Sequence, residues 1–405
     1  MKISRDSWIE FVSSQRIFKI LWSLIAFLPS LNSFAIAGDG IEMGRFRINP
    51  VLSMSESYSD NIYLDDQNEV GDYITAITPE VTFDVAVVPR NYFSLKYRGD
   101  FIYYSDADNF KKDHHLGSLS FHSRTRKESN FEVGVSAEDT AIQPFSEQDR
   151  SKDYTLQSAY AEALLMLGAV TEVGLDYSLN EREFDEFQFA DDDYTRNRLD
   201  FHVLYKRSRV WPILLQYRYI DQDNNDLEAE NTDFQSHTIF VGGRWQPDRK
   251  LSGALRVGYS WAQFEESGEN DFDGYAVDTD LVYAFSEITR FAISAQRSIQ
   301  NPTKSNRESG DYYVFTDLGL NITHKRWHRI TTELKLFYRH REYNNIQSSI
   351  TIRKDDYYRA GLSVEYAMRD WISFALEYGY QNNNSDSEIN EYSENSGMFT
   401  VTLGL

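Results

Sequence analysis

The 405-residue chain has no cysteine, which excludes disulfides, thiolate metal sites and a lipid-modified N-terminal Cys. Beyond residue 37 no run approaches the roughly 18 apolar residues that a spanning helix needs, and the mean hydropathy is -0.54. Glycine (21) and proline (8) are too sparse for a collagenous or low-complexity chain. Basic residues are outnumbered, 41 Lys and Arg against 63 Asp and Glu, for a net charge of -22. Phosphate binding needs a basic face, so nucleic acid is excluded as a partner. No G-x-S-x-G, H-E-x-x-H or Gly-rich phosphate loop is present, so the sequence offers no catalytic motif and points away from an enzyme.

What the chain has in excess is aromatic residues, 15% of the total, with 27 Tyr and 26 Phe. They sit in a repeating pattern that Val81–Tyr104 shows most clearly. Val81, Phe83, Val85 and Val87 alternate with polar neighbours, Pro89-Arg90-Asn91 makes a turn, and a second arm follows. That arm puts Phe93, Leu95, Tyr97, Phe101 and Tyr103 on one face and Ser94, Lys96, Arg98 and Asp100 on the other. The same unit recurs to the C-terminus, with short turns and long polar loops in strict alternation. Short turns lie at Pro89, Glu128, Gly168, Ser208, Asp248, Glu287, Trp327 and Arg369. The long loops carry acidic runs such as REFDEFQFADDDY and NNNSDSEINEYSEN. This predicts an all-β, antiparallel up-and-down transmembrane barrel of about 18 strands, apolar toward lipid and polar toward a lumen, with short turns periplasmic and long loops outside.

Met1–Ala37 reads as a signal peptide: Lys2, Arg5, Arg16 and Lys19, then the apolar Ile20–Leu31, then Ala35-Ile36-Ala37. Export plus barrel periodicity predicts a Gram-negative outer-membrane protein, with residues 38–405 as its single barrel domain and no plug. Lipid and lipopolysaccharide are then its immediate surroundings. Within the barrel, Tyr154–Leu167 alternates poorly and admits a helix as the rival reading. Pro50 and Pro79 fall inside strands, where each removes a ladder donor, and a bulge is the expected accommodation.

Ile48–Asp66, INPVLSMSESYSDNIYLDD, contains Tyr58-Ser59-Asp60-Asn61. This segment resembles the opening "Y-x-D-N" stretch of the putative β-barrel porin family, whose genes often lie among exopolysaccharide biosynthesis and export genes. The architecture is similar over the whole mature chain. The resemblance implies an outer-membrane conduit for a secreted polysaccharide, with a polysaccharide chain and a periplasmic export protein as partners. A diffusion porin for small hydrophilic solutes or ions is the alternative, and a hydrolase or adhesion protein a third.

The candidate site lies in the lumen. On four consecutive strands the lumenal phase carries Arg196 and Arg198, then Arg218, Arg244 and Arg256, and Lys96 and Arg98 hold the same phase earlier in the chain. Such a staircase would guide an anionic or hydroxyl-rich solute through forked hydrogen bonds. The competing reading pairs these arginines with Asp200, Asp278 and Asp280 as braces of the wall. No cofactor is expected. Asp-rich DADNF, FADDDY and NDFDG suit Ca²⁺ in ligand type but not in spacing. His114-His115 is the one histidine cluster, and adjacent strand residues point to opposite faces.

Overall fold

A computed structural model describes residues 40–404, apart from 127–128, 145–148, 209–211, 226–232, 246–249, 266–271, 301–311, 327–328 and 345–350. The expected signal peptide and the last residue, Leu405, lie outside the described residues. A short strand, β1 (Ile41–Met43), precedes the hairpin of β2 (Phe46–Ser59) and β3 (Asp72–Val88). Next come β4 (Asn91–Tyr104), β5 (Asp113–Arg124), β6 (Asn130–Ile142), β7 (Lys152–Leu167) and β8 (Thr171–Phe184). The far wall is β9 (Tyr194–Tyr205), β10 (Ile213–Asn224), β11 (Phe234–Trp245), β12 (Leu251–Phe264) and β13 (Phe272–Ala284). The chain returns through β14 (Thr289–Gln300), β15 (Tyr312–Arg326), β16 (Ile330–Asn344), β17 (Thr351–Arg369), β18 (Ile372–Ser385) and β19 (Tyr392–Gly404).

Each strand from β2 onward pairs antiparallel with its sequence neighbour, and β19 pairs with β2 from Ser396↔Ser59 to Gly404↔Val51. The result is a closed 18-strand barrel. Closure leaves no free edge to satisfy, which is the condition for sheet to cross a membrane. The outward phase is the predicted one: Leu95, Leu119, Val135, Leu215, Val241, Val257 and Leu376 are all exposed on the outer surface. Turn chemistry fits the short connections. Gly168 (φ 81°) supplies the left-handed residue between β7 and β8, and Arg90 (φ 81°) occupies the position after Pro89 where a type II turn ordinarily takes glycine.

The structure bears out one contested reading and departs from the sequence at several other points. Tyr154–Leu167 is strand throughout, in unbroken register with β6 and β8; Ala159, Ala161 and Ala163 on its outward phase blur the alternation without ending it. Pro79 causes no bulge: the β3–β4 register is the same at Ile77↔Phe101 and at Glu80↔Arg98, and only the rungs between are lost. Pro50 stands opposite Val81 of β3, and on its other side it lies just past the last described rung to β19, Gly404↔Val51. Ahead of the expected first strand, β1 pairs with Phe46–Ile48 on the edge of β2 that faces β19. Several strands also run further outward than the alternation suggests, because Asp221–Asn224, Asp355–Asp356 and Asn382–Ser385 keep their ladder bonds. Above the lipid the outer face no longer has to be apolar, so the period-2 signal fades while pairing persists.

The outer end is partly closed by packing. Pairing of β13 with β14 stops at Val277↔Arg297, whereas β14 and β15 stay paired up to Gln300↔Tyr313. Beyond that point Ile299, Tyr312 and Val314 pack on Phe234, Ala262 and Phe264, which share the lumenal phase of β11 and β12. The tip of β14–β15 therefore leans across the inner wall. On the opposite side Tyr63, Ala107 and Phe110 join the loops after β2 and β4.

Candidate functional site: a charged lumenal wall

Register alone sets which side chains face inward on β7–β13. Glu162 opposes Asp176, Asp176 opposes Asp200, Asp200 opposes Arg218, and Arg256 opposes Asp278. Two long bonds establish that this phase is the concave one. Arg218 on β10 donates from Nη2 to Asp278 Oδ2 on β13 at 2.7 Å, and Arg244 on β11 donates to Glu172 Oε1 on β8 at 2.6 Å. Each spans three inter-strand steps of about 4.8 Å. Only the inside of a curved sheet brings such groups together.

The predicted arginines fall into a connected lattice rather than a free staircase. Asp200, buried, accepts Arg198 Nε at 2.5 Å, Arg218 Nε at 2.8 Å and Gln216 Nε2 at 2.6 Å. Arg256 donates from Nη2 to Asp278 and Asp280, each at 2.9 Å. Arg244 meets Glu172 and the Nε2 of His202 at 2.7 Å, and Lys206 also bonds Glu172. Arg196 stands apart: its Nε donates to Gln222 at 2.6 Å and its guanidinium lies over the Tyr194 ring. Lys96 and Arg98, on β4, pair with Glu80 at 2.9 Å and Asp100 at 3.1 Å, and both are substantially exposed. The acids named as bracing partners, Asp200, Asp278 and Asp280, are the ones engaged.

Glu162, Asp176, Glu172 and His202 were not singled out in the sequence as site residues. The signal was there, since Glu132, Glu162 and Asp176 all fall on the polar phase of consecutive strands; only the register makes them neighbours. Glu132 opposes Glu162 directly, holds His122 Nδ1 at 2.8 Å and accepts the Tyr160 hydroxyl at 2.6 Å. Among the described residues Glu162 has no cation within salt-bridge distance, and Asp176 meets only His202, at 3.8 Å. These acids and the arginines line one cavity of about 450 Å³, bounded by Tyr160, Glu162, Asp176, Arg198, Arg244 and Arg256 among others.

The other candidates resolve into structural roles. His114 bonds Thr140 Oγ1 on the inner face at 3.0 Å, while His115 bonds the Tyr97 hydroxyl on the outer face at 3.0 Å. Among the acidic loop motifs, Asp108 pairs with Lys112 at 3.0 Å, and Asp193 accepts the Phe184 N–H at 2.6 Å. Burial pushes the Asp193 carboxyl above its usual range. NDFDG falls partly outside the described residues. Among the described residues no three His, Asp or Glu side chains are grouped to hold a metal ion.

The Y-x-D-N stretch is a clasp on the seam. Asn61, fully buried, donates to the carbonyls of Asp65 at 2.9 Å and Ser393 at 2.8 Å, and accepts the Asp65 N–H. Asp60 accepts both the backbone and side-chain N–H of Asn395, and Ser59 donates to Glu394 at 2.5 Å. The outer end of the first barrel strand is thereby tied to the last. The family model described as Putative beta-barrel porin 2 matches residues 35–405. The chain belongs to that family. No curated protein matches the sequence. Similar solved structures include opdK of Pseudomonas aeruginosa (9% identity, 88% of this chain, 98% of that chain, TM-score 0.47) and a BenF-like porin of Pseudomonas fluorescens Pf-5 (10%, 88%, 99%, 0.49). OccAB2 of Acinetobacter baumannii is a third (9%, 90%, 98%, 0.49). The family is one of porins, channels rather than enzymes, and the closed barrel with its apolar belt is an outer-membrane architecture.

Proposed function

We propose that this porin is a selective channel for small hydrophilic solutes. One observation carries the reading. The lumenal arginines are pinned by acids into a fixed mosaic of both signs around a cavity of about 450 Å³, a volume suited to a small molecule. Eighteen strands leave an aqueous interior, and charges held in place orient a passing solute better than mobile ones do. Lys96, Arg98, Arg196, Arg198, Arg218, Arg244 and Arg256 belong to the lining on this reading, Arg218 as a brace and the more exposed Arg98 and Arg198 as contacts for solute. Export of a polysaccharide has less support, because a polymer needs a continuous open groove, and the outer half of β11–β15 instead buries Phe234, Phe264 and Tyr312 against one another. The test is reconstitution into liposomes and planar bilayers. Flux should fall steeply with solute size across monosaccharide, disaccharide and tetrasaccharide. Undiminished passage of long oligosaccharides would return the polymer conduit to first place.

A further inference from the structure

We infer that the cavity on the inner face of β7–β12 is a binding site for zwitterionic solutes, with the ammonium end at Glu162 and Asp176 and the carboxylate end at Arg198 and Arg244. This rests on the channel reading and names the substrate class. Glu132, Glu162 and Asp176 stand directly opposite one another on consecutive strands, an arrangement of like charges that disfavours the empty wall. His122 Nδ1 lies 2.8 Å from Glu132 and His202 Nδ1 3.8 Å from Asp176, but among the described residues no Lys or Arg is in salt-bridge range of Glu162 or Asp176. A mobile ammonium supplies what the wall lacks there.

The second observation is on the neighbouring strands. Arg198 opposes Ser178, two residues along β8 from Asp176, so the two are diagonal neighbours with backbones about 7–8 Å apart. Its side chain is 43% exposed, and its Nε donates to Asp200. Arg244, 32% exposed, spends one terminal nitrogen on Glu172 and His202, while its Nε is buried with no hydrogen-bond partner. A guanidinium carries five N–H donors, so both retain donors for a carboxylate. One small molecule bearing both charges spans the gap. A simple anion meets the acid row, and a simple cation meets the guanidiniums, so each is discriminated against by the half of the site it cannot satisfy.

The experiment is ligand-observed NMR on the detergent-folded barrel, with folding verified by heat-modifiable electrophoretic mobility. Alanine and 4-aminobutyrate serve as zwitterions of two charge spacings, lactate as the partner lacking the ammonium and alaninol as the one lacking the carboxylate. At least one zwitterion is expected to bind tenfold or more tighter than lactate and alaninol, and Glu162→Gln with Asp176→Asn to erase that preference. Glu162→Gln alone, at a side chain that holds no ion pair, should weaken zwitterion binding severalfold and serves if the double variant does not fold. Equal binding of all four probes, or a preference that survives the substitutions, overturns the site. KCl conductance in planar bilayers is read separately: a folded barrel that passes no current removes the channel reading while the binding result stands on its own.

Discussion

The arc β8–β13 and the seam β18–β19–β2 share one outer surface and differ in how far their inner side chains are cross-linked. Outside, Leu215, Val241 and Val257 on the arc match Leu376, Phe399 and Met54 at the seam, all exposed where lipid would be. Inside, the arc carries Asp200, Gln216 and Arg218, buried and cross-linked over several strands. Where β19 meets β2, the inner phase carries Ser53, Ser55, Thr400 and Thr402, small hydroxyls of which Ser53 and Thr402 bond each other at 3.2 Å, while Glu377, Gln381 and Glu394 share that phase elsewhere in the seam. The charges of the arc are linked across three inter-strand steps, whereas a lumenal pair elsewhere, Arg339–Asp317, joins adjacent strands.

The sharpest way to break the comparison is to remove one member of that lattice. Arg218→Ala leaves Asp200 and Asp278 short of a cation in a buried setting, and should cost about 3–5 kcal/mol, read as a lower urea midpoint for the folded form. Next in size is a charge on the lipid face. Leu215→Arg on the arc and Leu95→Arg on β4 should each cost about 2–4 kcal/mol if near the bilayer midplane, alike because both sit on the exposed apolar exterior. The inward neighbours should differ: Gln216→Ala costs about 1–3 kcal/mol by stripping a bond from Asp200, whereas Ser94→Ala stays within about 0.5 kcal/mol. Equal losses at Gln216 and Ser94 would mean that the lattice is not a structural unit.

These contrasts locate what was legible in the sequence. The barrel, its outward phase and its two-sided loop pattern follow from alternation, because lipid enforces an apolar residue at every second position. Arg196 to Arg256 were assigned to the lumen by the same parity. Which acid meets which arginine was only guessable, since Arg218–Asp278 joins residues 60 apart in sequence through barrel curvature. The carboxylate row escaped notice because parity places Glu162 and Asp176 inside without saying that they stand opposite each other. β1 was invisible for a simpler reason: three residues are too few to show a period.

At the seam the largest single contribution expected is that of Asn61. Its amide is fully buried and joins the loop after β2 to the Ser393 carbonyl, so Asn61→Ala strands two carbonyls and the Asp65 N–H. The cost should be about 1–3 kcal/mol, with hydrogen exchange rising first at the outer ends of β2 and β19. Uniform exchange around the barrel would show that closure does not depend on this clasp.

The smallest effect on stability should come from Lys96 and Arg98, and it separates bracing from conduction. Both share the lumenal phase of the arc's arginines, yet their pairs with Glu80 and Asp100 are substantially exposed. Exposed pairs contribute roughly 0–1 kcal/mol, so Lys96→Ala with Arg98→Ala should leave the denaturation midpoint almost unmoved. Removing two lumenal cations while Glu80 and Asp100 remain makes that side of the pore more negative, and the reversal potential in a KCl gradient should shift toward cation selectivity. An unchanged reversal potential in the folded double variant would place the ion path along the opposite wall, beside the cavity, and leave the β3–β4 side of the lumen outside it.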